Sequence, residues 1–181
     1  MPSAETIRLS TRDIRLAVSI RARPERVYQA LTSARELTRW WLLGAETDAR
    51  NAGRVRMVWP RLRGAAGGLP VGFGERAGVF VDLEPARKVA WLWKPARGEK
   101  GVVPPLCSIF MLPGRRAGRS EISLLHSGFP SAKAVDGLFL HYARGWEDGL
   151  AKLKLYLEAG KTCKSELIDL ESVGLLTKRR S

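Results

Sequence analysis

Acid–base or covalent chemistry in this chain would have to come from two histidines, two cysteines and a scatter of carboxylates. His126 closes the run RSEISLLH from Arg119, where Ile122 and Leu124 alternate with other residues, so a strand here turns the imidazole toward the apolar face. An inward histidine can hydrogen-bond a ligand carbonyl or take a proton near its ordinary pKa of about 6.5. It can equally be a satisfied core residue under the turn Ser127-Gly128-Phe129. His141 precedes Tyr142 in the first turns of a helical segment, and a cavity mouth or a solvated face are its two readings. Neither histidine stands at a metal-ligand spacing from cysteine or carboxylate, so no metal and no cofactor are expected. No Gly-x-Ser-x-Gly elbow occurs. Cys107 and Cys163 lie far apart and read as free thiols of a reducing cytoplasm, Cys107 as a small buried residue. Glu75 or Asp82 would pair with His126 only if the fold brought them together, and no residue is assigned as catalytic.

A larger set of residues points to binding. Trp40, Trp41, Met57, Trp59, Phe80, Trp91, Trp93, Phe110, Phe129, Tyr142 and Trp146 are inward aromatic and apolar side chains. With His126 they are the set expected to line an apolar pocket carrying a few placed polar groups. A tryptophan N–H anchors a ligand when no protein group takes it. Gly145 and Gly149 complete the set, four apart inside the helical segment, where each glycine costs about 1 kcal/mol relative to alanine. Two explanations stay open for them: room for a ligand between helix and sheet, or close packing of the helix backbone on the strands.

The helix that carries them runs from Asp136 to Gly160. Phe139, Tyr142, Ala143, Trp146, Leu150, Leu153 and Leu157 recur at steps of three and four and form one stripe. Asp136 is expected as N-cap and Gly160 as the residue that stops the last turn, over a length of roughly 35 Å. Such a helix needs a large apolar partner, which the strands supply. Ile7 to Ile20 reads as the first strand; Pro24 opens a short helix, and Ser33 caps a second that carries Leu37, Trp40 and Trp41. Arg54 to Trp59, Glu75 to Leu83, Lys88 to Lys94, Leu106 to Leu112 and Arg119 to His126 read as strands. The Gly-rich loop Pro60 to Pro70 lacks the Lys-Ser/Thr of a phosphate-binding loop, and Gly72-Phe73-Gly74 opens no dinucleotide-binding helix. The connections are local and favour a meander. The fold expected is α+β: a curved antiparallel sheet of about six strands around a long C-terminal helix, with two short helices after the first strand.

Four segments in order carry a family resemblance. They are Pro24-Glu25-Arg26-Val27-Tyr28-Gln29-Ala30-Leu31-Thr32 with Leu37-Thr38-Arg39-Trp40-Trp41, then Gly78 to Pro85 leading to Val89-Ala90-Trp91-Leu92-Trp93, then Ser123 to Phe129, and finally His141 to Gly160. Together they resemble the START/pollen-allergen-like (SRPBCC) superfamily over residues 12 to 160, and within it the mostly bacterial branch named after the activator of the heat-shock-protein ATPase. The resemblance implies a helix-grip (START-like) fold enclosing a deep apolar cavity. It implies binding of a lipid-like, polyketide-like or aromatic molecule, with a polyketide cyclase-like or hydrolase enzyme as the alternative. Chaperone activation is not implied, because that activity also uses a separate domain. On this reading residues 1–160 are the helix-grip domain and 161–181 a C-terminal extension, apolar through Leu167, Ile168, Leu170, Val173, Leu175 and Leu176 and basic at Lys178-Arg179-Arg180.

With 181 residues, 45% hydrophobic and 27% charged, the composition is that of one ordinary soluble domain. No run approaches the ~20 apolar residues of a membrane span, and MPSAETIRLSTRD has no apolar core of a secretory signal, so a cytoplasmic location is expected. The net charge of +13 raises a third function, a basic surface for protein or nucleic acid. Its arginines are dispersed along the chain rather than gathered in one tail, so nucleic acid is not the expected partner. A small hydrophobic molecule is, and a homodimer through a sheet edge or the apolar tail stays open.

Overall fold

A computed structural model of the chain describes residues 10–61, 74–97, 99–101, 103–115 and 118–168. Ile7, most of the Gly-rich loop with Gly72-Phe73, the middle of the basic turn at 116–117 and the extension beyond Ile168 lie outside the described residues.

Strand β1 (Thr11–Ile20) is followed by helices α1 (Pro24–Thr32) and α2 (Ala34–Trp40). Pro24 takes the first turn of α1, and the Ser33 hydroxyl accepts the Glu36 N–H to start α2, so both local signals act as expected. Six strands follow: β2 (Gly44–Thr47), β3 (Arg54–Val58), β4 (Glu75–Glu84), β5 (Lys88–Trp93), β6 (Cys107–Met111) and the two-residue β7 (Gly114–Arg115). Then come β8 (Arg119–Pro130), a short 3₁₀ turn (Lys133–Val135) and helix α3 (Asp136–Ala159). Gly160 ends α3 in the left-handed region at φ 64°, its N–H returning to Tyr156 O while Lys161 N–H returns to Leu155 O. Asp136 does not cap the helix: Val135 holds that position without a side-chain bond, and Asp136 is the first helical residue, 2.6 Å from Arg12.

The sheet is antiparallel throughout, in the order β1-β8-β6-β5-β4-β3-β2, with β7 paired to β8. From β2 to β6 it is the expected meander, but β1 is not part of it. The first strand pairs with the last, Leu16 opposite Leu124 and Val18 opposite Ile122, while α1 and α2 carry the chain to the far edge. Pairing of this kind places the inward residues of both strands on one buried face, a gain that no local pattern encodes. The short edge strand β2 was not legible as a strand; it is held by Glu46 opposite Arg56 and Thr47 opposite Val55.

Helix α3 lies along β1 and across α1 and α2. Residues 161–168 then fold back against it. Asp148 and Lys152, one turn apart on α3, form a buried ion pair at 2.6 Å with side chains only 4% and 1% exposed. Asp148 also accepts the Ile168 N–H at 2.7 Å, and Lys152 donates to the Lys164 carbonyl. Lys164 in turn donates to the carbonyls of Thr38 and Leu42 at the end of α2. The first part of the extension is thus strapped to both helices. Burial alone raises the Asp148 carboxyl pKa, and the Lys152 ammonium only partly opposes that rise.

Candidate functional site

All fourteen residues expected to line a pocket are buried. Among the described residues, several of them pack directly on one another. Trp41 stacks on Trp40 at 5.1 Å and 5°, meets Trp59 edge-on at 5.2 Å, and reaches Trp146 at 5.7 Å. Trp91 stacks on Trp146 and meets Trp93 and Phe110 edge-on. These are the offset and edge-to-face contacts that aromatic quadrupoles favour.

The two explanations for Gly149 can now be separated. A Cβ built at this glycine would lie 3.0 Å from Trp41 Cζ2 and 3.2 Å from Cε2, so the indole occupies the place of the missing side chain. Beside it, Leu31, Trp40, Trp41, Phe110, Trp146, Gly149, Leu150 and Leu153 enclose a void of about 10 Å³. That is room for about one water. Of the two explanations, close packing holds at Gly149, where the Trp41 indole fills the space.

Polar chemistry is concentrated at the other end of the same interior. A cross-strand row runs Phe80, Trp91, Ser108, His126 and Ile14 through β4, β5, β6, β8 and β1. Ser108 Oγ accepts the Trp93 indole N–H at 2.8 Å and lies 2.6 Å from His126 Nδ1. Ser108 Oγ has a lone pair for the indole N–H and a second for an imidazole N–H, so this bond forms with the imidazole proton on either ring nitrogen. His126 is fully buried, and its Nε2 has no hydrogen-bond partner among the described residues; nor has Trp91 Nε1. Burial, reinforced by the positive charge of Arg76 and opposed by Glu99, lowers the His126 pKa to about 3. The ring is neutral at physiological pH.

His126 stacks on Tyr142 at 5.0 Å and 19°. Tyr142 donates its hydroxyl to Glu99 Oε1 at 2.9 Å, and Arg76 grips the same carboxylate with both Nη atoms, at 2.6 and 2.7 Å. The Ala96 N–H supplies a fourth donor at 3.0 Å. Arg76 and Glu99 are 8% and 6% exposed, so this is a two-pronged ion pair inside the protein. Burial pushes the Glu99 carboxyl up. The bonds from Arg76, Ala96 and Tyr142 outweigh that push and hold it below the ordinary carboxylate range. Burial also raises the Tyr142 phenol far above its usual value, so it stays a donor.

Glu75 and Asp82 are not the carboxylates of this site. Glu75 pairs with Arg56 on the surface and Asp82 with Lys88. Sequence reasoning missed Arg76, Glu99 and Ser108. Two of them carried a signal: Arg76 is in phase with Phe80 along β4, and Ser108 with Phe110 along β6, polar residues on an apolar face. Glu99, in a polar loop, carried none.

A curved antiparallel sheet closed on a long C-terminal helix, with an aromatic interior and a buried polar network inside it, defines a helix-grip protein. The model of the family described as "Activator of Hsp90 ATPase homolog 1-like protein" matches residues 21–158, and the chain belongs to that family. No curated protein matches it in sequence. Among solved structures it is similar to the Aha1 dimer from Colwellia psychrerythraea (23% identity over 83% of this chain and 98% of that one, TM-score 0.62). It is also similar to CalU16 from Micromonospora echinospora (19%, 87% and 82%, 0.61). DynU16, a protein of the dynemicin biosynthetic locus, is a third (19%, 85% and 49%, 0.60). These similarities concern the fold. Among the described residues no helix is long and apolar enough to cross a membrane.

Proposed function

We propose that the chain binds a small apolar or aromatic molecule bearing a hydrogen-bond acceptor, taken up between sheet and α3 beside His126. The observation that carries this reading is the pair of buried ring nitrogens, His126 Nε2 and the Trp91 Nε1 donor, that find no hydrogen-bond partner among the described residues. Leaving a buried donor unmade costs about 1–3 kcal/mol, and native cores rarely tolerate it without a reason. A ligand carbonyl or hydroxyl would supply what is missing. Because the void at Gly149 is small, uptake at that point of the helix requires the surrounding aromatic side chains to move.

Catalysis on the same scaffold finds less support at His126. A general base works best with a pKa near the operating pH, and His126 is held at about 3 with Ser108, not a carboxylate, on its Nδ1. A nucleic-acid surface is also less favoured, since several of the arginines are paired with carboxylates, as in Arg26–Glu36, Arg56–Glu75 and Arg144–Glu147. Self-association is proposed by analogy with the Colwellia dimer, with Leu43 and Leu140 as exposed apolar contacts, and a cytoplasmic location goes with the same reading.

Native mass spectrometry of the purified chain, followed by extraction of bound molecules and a thermal-shift screen of aromatic ketones and phenols, tests the binding reading. Co-purified apolar compound, or stabilisation by about 2.7 kcal/mol at a hundredfold excess over Kd, is the expected result. An empty protein indifferent to the whole screen would overturn it.

A further inference from the structure

We propose that Arg76 and Tyr142 form a carboxylate-binding site occupied in this structure by the chain's own Glu99, and that the molecule taken into the interior carries a carboxylate that displaces it. This rests on the binding reading above and names the ligand class. Three of the four donors to the Glu99 carboxylate belong to the scaffold: Arg76 Nη1 and Nη2 on β4 and the Tyr142 hydroxyl on α3. Only the Ala96 N–H comes from the loop that delivers the glutamate. If the loop lifts, the carboxylate leaves and its receptor stays.

The described residues of the loop are bonded largely to one another. Its base is closed by the Trp93 N–H on Leu106 O at 2.9 Å, and its interior is held by Glu99 N–H on Ala96 O and Val103 N–H on Glu99 O. Among its described residues, the Glu99 carboxylate and buried Val103 and Leu106 hold it to the rest of the protein, with the Lys94 N–H on Ala77 O at its start. Loops anchored at two close points on a rigid scaffold are the usual carriers of such gating.

The chemistry selects a carboxylate. A guanidinium fork matches two carboxylate oxygens in one plane, and a phenol adds a third donor. The Arg76 guanidinium carbon lies 5.3 Å from the Tyr142 ring centroid, and that ring stacks on His126. A carboxylate held by Arg76 therefore directs its apolar body along Tyr142 toward the orphaned Nε2 of His126. Leaving Arg76 buried without an anion is strongly unfavourable, so uptake is an exchange of one carboxylate for another. The tethered glutamate competes at a high effective concentration, and removing it should strengthen binding.

The test uses the full chain and calorimetric titration with 2-naphthoate and its neutral isostere 2-naphthamide. Glu99→Ala is expected to bind 2-naphthoate at least tenfold more tightly than wild type does, and at least tenfold more tightly than it binds the amide. Arg76→Met added to Glu99→Ala should erase the preference. Formate, acetate and propionate should raise the melting temperature of Glu99→Ala above that in chloride of equal ionic strength. Equal binding of both naphthalenes by Glu99→Ala would overturn the carboxylate site while leaving apolar binding intact. Binding of neither would remove both. If Glu99→Ala folds only with added formate or acetate, the site stands; if it does not fold at all, Glu99→Gln decides. A glutamine variant that binds 2-naphthoate no better than wild type refutes the proposal.

Discussion

Replacing His126 with phenylalanine should flatten the acid limb of the stability profile, and the size of the change follows from the site. The unfolded chain takes up a proton on this histidine below its ordinary pKa of about 6.5, whereas the folded chain resists until about 3, because the ring is buried and faces the charge of Arg76. Between those values the unfolded state binds more protons, so stability falls as pH falls. From pH 7 to pH 5 the loss assigned to this group is about 2 kcal/mol. For a domain of this size that is roughly 4–8 °C in melting temperature. Phenylalanine keeps the ring contacts with Tyr142 and Phe129 but leaves the Ser108 hydroxyl without its imidazole partner, an offset of about 1–3 kcal/mol that is the same at every pH. Urea unfolding followed by fluorescence is suited to the measurement, since all six tryptophans are buried. His141, Glu99 and Arg76 are common to both proteins, so the difference between the two pH slopes isolates His126. The wild type should lose about 2 kcal/mol more than the variant between pH 7 and pH 5. Parallel profiles would refute a neutral, buried His126.

Lys152→Met should destabilise the fold by about 3–5 kcal/mol, because it strands the Asp148 carboxylate in the interior. With the folded pKa of Asp148 raised, that variant should be more stable at pH 5 than at pH 8 by urea unfolding, and Asp148→Leu added to it should recover part of the loss. Gly149→Ala gains about 1 kcal/mol in helix propensity but drives a methyl group to 3.0 Å from Trp41, which Trp40 and Trp146 hold in place. Overpacking of about 1–3 kcal/mol should win, giving a lower melting temperature; a stabilised variant would mean that Trp41 has room to recede.

Much of the fold was legible because its signals are local. Alternation marked β3, β4, β5, β6 and β8, and a three-and-four spacing marked α3, since backbone period and burial act on neighbouring residues together. Pro24 opened α1 through its fixed φ, while Ser33 and Gly160 bounded their helices through bonds to groups at most five residues away. The apolar side chains of the interior followed from the same periodicities, and the family from the order of four short segments. Only the tertiary structure decided what those side chains do. Whether Gly149 faces a ligand or an indole depends on where α2 delivers Trp41, and the pairing of β1 with β8 depends on a crossover through two helices. The buried network joins Arg76, Glu99, Ser108, His126 and Tyr142 from β4, β6 and β8, a loop and a helix, at sequence separations of 23 and 43 residues for the contacts of Arg76 and Tyr142 to Glu99. Contacts that distant are selected by chain closure, strand register and the need to pair every buried charge, and none of these leaves a mark on the residues beside them in the chain.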